Sequence, residues 1–195
     1  MSARNIMRLY QQATPEDHAA GLAWYMKANA ACERISKREG LPVYIVAGVV
    51  AALSPNNRWE RNLVDAENLI HAYVIGAPED SVNPCTYKAM RAKAWRILEE
   101  LPEDASGVAT ILNGQKIKSF FSNIMGLDDL TIDGHARNIY YNERINLTDN
   151  RTNIGVKEYR FLQDEYRKAA KKLGVAAHVL QAVTWTTWRR IHAIG

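Results

Sequence analysis

The run Val43 to Leu53 is the feature that most restricts what this chain can become. Its eleven residues, Val-Tyr-Ile-Val-Ala-Gly-Val-Val-Ala-Ala-Leu, are almost all apolar. The β-branched start would suit a strand, but nothing alternates with period two. Ala47, Gly48, Ala51 and Ala52 are small residues that let helices approach closely, so the run is read as a helix buried on most sides. Such a helix needs amphipathic partners around it, and the flanking sequence supplies them.

Thr14-Pro15-Glu16-Asp17 is a helix start, with a capping residue, a proline at the first position and acids in the first turn. That helix is expected to run to about Arg38, with Leu22, Tyr25 and Ile35 among its apolar positions and Gly40 as its stop. After the breaker Ser54-Pro55-Asn56-Asn57, a helix runs from Arg58 to Tyr73 with Leu63, Ala66, Leu69 and Ile70 on one face. Asn83-Pro84 is read as the cap of a helix reaching about Glu100, which carries Tyr87, Met90, Ala94 and Leu98. Ser106 is read as the cap of a short helix to Leu112.

Asn113-Gly114 is a turn signal, because both residues tolerate positive φ. Behind it Ile117, Phe120, Phe121 and Ile124 recur at helical spacing, and Gly126 is placed as a helix C′ residue. Asp133 then sits where a carboxylate caps a helix from Gly134 to about Asn142. An irregular polar segment, 143–153, precedes a helix from about Val156 to Leu173, ended by Gly174. A last helix spans Val175 to about His192. No internal repeat, low-complexity tract or β hairpin is evident, and the fold class expected is all-α.

The segment from Leu112 to Arg137 resembles the helix-hairpin-helix DNA glycosylases, the endonuclease III-like superfamily. There a turn of the form Leu-Pro-Gly-Val-Gly-Arg-Lys-Thr-Ala is followed, about a helix later, by Val-Asp-Thr-His-Val. Leu112, Gly114, Lys118 and Ser119 match the first motif; Ile132, Asp133 and His135 match the second. The resemblance covers roughly residues 40 to 142. The position of the hairpin's second glycine is Lys116 here, a departure from the family pattern. The resemblance implies a two-lobed all-α domain, its lobes about 41–142 and 1–40 plus 143–195, with a cleft that carries Asp133.

It further implies an N-glycosylase that flips a damaged or modified base out of double-stranded DNA and cleaves its glycosidic bond. Asp133 is the expected catalytic carboxylate, stabilising the oxocarbenium-like sugar or activating water; read alone, it is an ordinary N-cap. Lys118 matches the lysine that forms a Schiff base in bifunctional members, and desolvation beside Phe120 and Phe121 would activate its amine. The plainer reading of Lys118 is a solvated lysine, with Lys116 the weaker alternative by register. Asn113, Gly114 and Lys116 are the expected phosphate contacts at the hairpin.

Leu53-Ser54-Pro55-Asn56-Asn57-Arg58-Trp59 is similar to the family's Leu-Ser-x-Gln-Thr loop, which fills the gap left by a flipped base. Asn56 matches the Gln position and Arg58 adjoins it; a helix terminus broken by Pro55 explains the same residues. His135 is either part of the pocket or a structural hydrogen-bonder. Trp185 and Trp188 are core aromatics or a stacking surface for an extruded base, and Arg137, Arg189 and Arg190 are candidate phosphate contacts.

A net charge of +4 and a pI near 9.1 suit a polyanionic partner without requiring one. Cys32 and Cys85 match no metal or redox spacing. Some relatives carry a four-cysteine iron–sulfur loop after the aspartate motif; no cysteine follows Cys85, so no metal or other cofactor is expected. The N-terminus has no apolar signal core and no run approaches the ~20 residues of a membrane span. A cytoplasmic monomer that does not engage membranes is the expectation. Two other classes remain open: an enzyme of modified-nucleotide metabolism on the same scaffold, and a DNA-binding module without catalysis.

Overall fold

The computed structural model describes residues 3–194. Among these the chain is all-α, without strands. Its helices are α1 (Arg4–Gln11), α2 (Pro15–Glu39), α3 (Val43–Leu53), α4 (Trp59–Val74), α5 (Lys88–Glu100), α6 (Ala105–Leu112), α7 (Gln115–Ile124), α8 (Gly134–Tyr141), α9 (Val156–Leu173) and α10 (Ala177–Ile191). Short 3₁₀ turns occupy Glu79–Ser81 and Asn150–Thr152. None of these helices is long and apolar enough to cross a membrane.

The chain divides into two compact units, Met26–Leu127 and Met1–Tyr25 with Asp128–Gly195. The divisions therefore fall within α2 and just after α7, at 25/26 and 127/128. The physical reason is local. The second half of α2 sends Ala28, Cys32 and Ile35 into the core around α3, whereas α8 packs on α1 and α10. Asp133 and the hairpin thus belong to different units.

In the central unit α3 is the axis. Ile45 through Leu53 are all buried, and α4, α5, α6 and α7 pack against the helix. Each Val, Ile or Leu so covered contributes about 1.5–3 kcal/mol of transfer free energy. Gly48 permits one close approach: a Cβ there would lie 2.4 Å from Val108 Cγ1. Asn62 makes a buried polar reach into this wall, its Nδ2 donating to the Val50 carbonyl at 3.0 Å.

The helix starts show where local competition outweighs simple cap signals. α5 begins after Tyr87, an exposed residue, and Asn83-Pro84 is not its cap. The chain ahead of it is held in a bend outside the helix, because the buried Asp65 carboxylate accepts the Cys85 N–H at 2.8 Å and Thr86 Oγ1 donates to the Pro55 carbonyl at 2.6 Å. The cap of α6 is Asp104, which accepts from Gly107 N at 2.9 Å, and Ser106 lies inside the helix. Leu22, expected on the apolar face of α2, is 60% exposed.

In the terminal unit the core is built from Ile6, Leu9, Leu130, Ile132, Ile139, Tyr140, Leu162, Tyr166, Leu180 and Trp188. α10 crosses this core with Thr184 and Thr187 fully buried; their hydroxyls donate to the Leu180 and Val183 carbonyls of the same helix at 2.9 and 2.8 Å. The start of α2 docks on α10 through polar bonds. Thr14 and Asp17 form a reciprocal capping box at 3.0 and 3.2 Å. Asp17 Oδ2 also receives Arg190 Nε at 2.8 Å.

Two outcomes follow for this docking. A Cβ on Gly21 would meet the backbone N and Cα of Val183 at 2.6 Å. Backbone cannot step aside, so Gly21→Ala should cost about 1–3 kcal/mol. Gly155→Ala, with nothing within 4 Å, serves as the control and should leave the melting temperature nearly unchanged. Burial alone would raise the Asp17 pKa, but hydrogen bonds from Arg190 and the Thr14 N–H hold it below its ordinary 3.8. A carboxylate with a depressed folded pKa contributes stability that is complete above its unfolded pKa and lost as pH falls through the folded pKa. Acid titration of unfolding should therefore show Asp17→Asn to be less stable at neutral pH and flatter below pH 3.8 than the wild type.

Candidate functional site

The hairpin in the central unit has a two-residue connection. α6 ends at Leu112, Asn113 takes the left-handed conformation at φ 49°, and Gly114 is extended at φ −120° before α7 begins. Only Asn113 uses the positive φ that the dipeptide permits. Space at Gly114 is tight, since a Cβ there would lie 3.1 Å from Ile117 Cγ1, and that side chain would have to give slightly. Lys116, at the family's second glycine position, lies in the first turn of α7 and needs no unusual backbone conformation. Lys93 Nζ donates to the Leu112 carbonyl at 2.6 Å, closing the end of α6. No spacing in the sequence marks that lysine.

No side chain caps α7, and its first turn has no acid. The amide groups of Gln115 to Ile117 therefore stay available at the positive end of the helix dipole, with Lys116 exposed beside them. Lys118 is half-buried and Ser119 buried. Phe121 is deep in the core, while Phe120 is half-buried, edge-on to Trp59 with 6.3 Å between ring centroids.

The loop after α3 is tied down at both ends and open at its tip. Ser54 Oγ donates to the Ala51 carbonyl at 2.8 Å, and Asn57 Nδ2 donates to Asp65 Oδ2 at 3.0 Å. Asp65, 2% exposed, also accepts Arg61 Nε at 2.8 Å. Between these anchors Asn56 is exposed with φ 55°, and Arg58 is the exposed N-cap of α4. Asp65 is the residue that fixes this loop. Its only mark in the sequence is an Arg four residues earlier, which is too common a pattern to single it out.

In the terminal unit the approach to Asp133 is held by α9. Tyr159 Oη accepts the Ile132 N–H at 3.1 Å and donates to the Leu130 carbonyl at 3.3 Å. Gln163 Nε2 donates to the same carbonyl at 2.8 Å and to Asp129 Oδ1 at 3.2 Å. The segment is thereby presented straight into α8, where Asp133 Oδ1 accepts the Ala136 N–H at 2.8 Å. Asp133 is half-buried, so one oxygen is committed to the cap on a carboxylate that stays partly accessible.

Two buried phenols neighbour this carboxylate, and neither was a candidate by sequence. Tyr25 Oη donates to Gln181 Oε1 at 3.0 Å. Tyr166 Oη donates to the Ala136 carbonyl at 3.3 Å. Burial pushes both pKa values up, and the Asp133 charge adds to the effect at each, so both remain neutral donors. Helical periodicity shows such tyrosines only as core residues; their nearness to Asp133 depends on three separate helices.

The remaining candidates are largely engaged within the fold. Arg137 pairs with Glu158 and Glu143, both at 3.1 Å, and its guanidinium lies 4.6 Å from the Tyr141 ring centroid. Arg190 bonds Asp17 and the Gln12 carbonyl. Arg189 lies over the half-buried Trp185, which also packs on Trp24 at 4.8 Å. Trp188 is 7% exposed, with the His192 ring 4.0 Å away. His135 is half-buried, and its Nδ1 is buried without a hydrogen-bond partner. Among the described residues no group of three or more His, Cys, Asp or Glu is placed to hold a metal. Burial pushes the Cys32 thiol up to about 12, and Cys85 is exposed.

No curated protein and no solved structure matches the chain. One family model does, over residues 1–192, under the description "Family of unknown function (DUF7178)". Because that match spans almost the entire sequence, the chain belongs to the DUF7178 family.

Proposed function

We propose that this protein is a DNA N-glycosylase-like enzyme that extrudes a damaged or modified base and cleaves its glycosidic bond, with Asp133 as the catalytic carboxylate. The observation that carries the reading is a pairing in sequence order. A two-residue helical hairpin with an uncapped second helix, α6–Asn113–Gly114–α7, is followed by an aspartate at the N-terminus of α8. An uncapped helix start without acids suits a phosphate. A carboxylate oriented by its own capping bond suits a developing cation, since it needs no reorganisation when charge appears. The exposed Asn56 and Arg58 suit a loop that enters the duplex, where the Asn amide can meet the unpaired base.

A second reading has one observation in its favour. The bond from Ala136 N makes Asp133 a complete N-cap, which a DNA-binding module without catalysis would keep for stability alone. Substitution separates the two. Asn is also a good cap, so Asp133→Asn keeps the helix start and removes mainly the charge. On duplexes bearing a panel of lesions and modified bases, single-turnover excision should fall by about a hundredfold, on the order of 3 kcal/mol. Binding and melting temperature should stay near wild type. Excision at the wild-type rate would reduce Asp133 to a cap and remove the basis of the assignment.

Lyase activity is assigned to Lys118 on the same resemblance. Borohydride added during turnover should trap a covalent protein–DNA adduct, and Lys118→Ala should abolish trapping. Trapping that persists in Lys118→Ala and vanishes in Lys116→Ala moves the nucleophile by two residues. An untrapped wild type is a monofunctional enzyme that leaves the abasic site uncut.

A further inference from the structure

Helices α1, α8 and α10 line a partly open pocket of about 270 Å³ in the terminal unit, distinct from Asp133. Leu9, Ile139 and Trp188 give it an apolar lining, while Arg8, Asn142 and His192 supply polar groups. The volume lies near the lower end of small-ligand pockets, and the mixture of apolar wall and few polar groups is their usual make-up.

Charge decides what such a cavity holds. None of its three walls carries a single Asp or Glu. Arg8 Nη2 donates to Asn142 Oδ1 at 2.6 Å, and Arg144 Nη2 donates to the His192 carbonyl at 3.3 Å. Neither arginine forms an ion pair among the described residues, whereas Arg137 and Arg190 are each neutralised by carboxylates. Two uncompensated guanidinium groups therefore stand at and beside one cavity. A guanidinium fork stays charged and matches two phosphate oxygens.

The body of the ligand is set by the other walls. The Trp188 and His192 rings, 4.0 Å apart, form an aromatic side on which a flat heterocycle can stack. Asn142 and Gln12 bring amides to the same lining. Those amides would lose their water to an apolar body, but they match the polar edge of a base. We infer that this cavity binds a nucleoside monophosphate, its phosphate on Arg8 and its base against Trp188 and His192. The inference does not depend on the excision chemistry assigned to Asp133.

Calorimetric titration of the full chain with dAMP, dTMP and inorganic phosphate at low salt tests it. The nucleotides should bind more tightly than phosphate alone. Arg8→Gln should weaken them by about tenfold or more, and Arg8→Lys should recover part of the loss. Arg8 is exposed, so its variants should melt as the wild type does. Arg144→Gln gives a second, independent charge removal should they not. Asp133→Asn, the variant aimed at excision, should bind nucleotide normally. A 5′-phosphorylated single strand that displaces dAMP, where its dephosphorylated counterpart does not, marks a strand end as the source; displacement by neither marks a free nucleotide. No binding at millimolar dAMP, affinity unchanged in both arginine variants, or phosphate binding as tightly as nucleotide would overturn the assignment.

Discussion

A helix without charged side chains can exist in water only when other helices cover it, and α3 imposes that requirement on the central unit. Its buried face is effectively its whole circumference from Ile45 to Leu53. Four helices converge on it, and Gly48 sets how near α6 comes. The consequences reach the hairpin. α6 and α7 are both anchored by their apolar faces to α3, so the turn between them is presented at a fixed place with its amides unused. The loop after α3 is fixed in the same way, by the end of the buried helix on one side and buried Asp65 on the other.

The terminal unit relies on polar bonds to a greater degree. Tyr159 and Gln163 hold the extended backbone before α8, and the Asp17–Arg190 pair holds the start of α2 to α10. Buried bonds of this kind are costly to break because each partner is left without water. The Tyr159 and Gln163 bonds also fix the backbone that leads into Asp133, whose carboxylate is then oriented by its own capping bond. Near it, Tyr25 and Tyr166 provide neutral hydroxyls in a region where ionised phenols are disfavoured by burial.

The distribution of compensated and uncompensated charge differs across this unit. Arg137 and Arg190 spend their charge on internal carboxylates and serve mainly to join elements. Among the described residues Arg8 and Arg144 have no such partner; Arg8 shares a pocket lining with Trp188 and His192, and Arg144 bonds the His192 carbonyl. An arginine left without an acid at a pocket, with a second beside it, retains positive potential where a ligand can use it.

Much of the architecture was legible in the residues themselves. The apolar run of α3, the Thr14-Pro15 start, the Asn113-Gly114 turn and the Gly174 stop are local signals, and each marks its element because backbone and capping preferences act over a few residues. Asp133 as the cap of α8 was legible for the same reason. The cap of α5 was not, since bonds from Asp65 and Pro55 hold residues 85 and 86 in place across a long sequence separation. The division of the chain between Tyr25 and Met26 was hidden too: α2 is continuous, and only the partners of each half differ. The sequence by itself determined that the chain is helical, where the hairpin lies and which carboxylate starts α8, because those depend on near neighbours. Tertiary structure alone decided that Tyr25 and Tyr166 lie near enough to Asp133 to feel its charge, that Arg137 is neutralised and Arg8 is not, and that α1, α8 and α10 line a pocket. Those are pairings between distant residues, and no local preference encodes them.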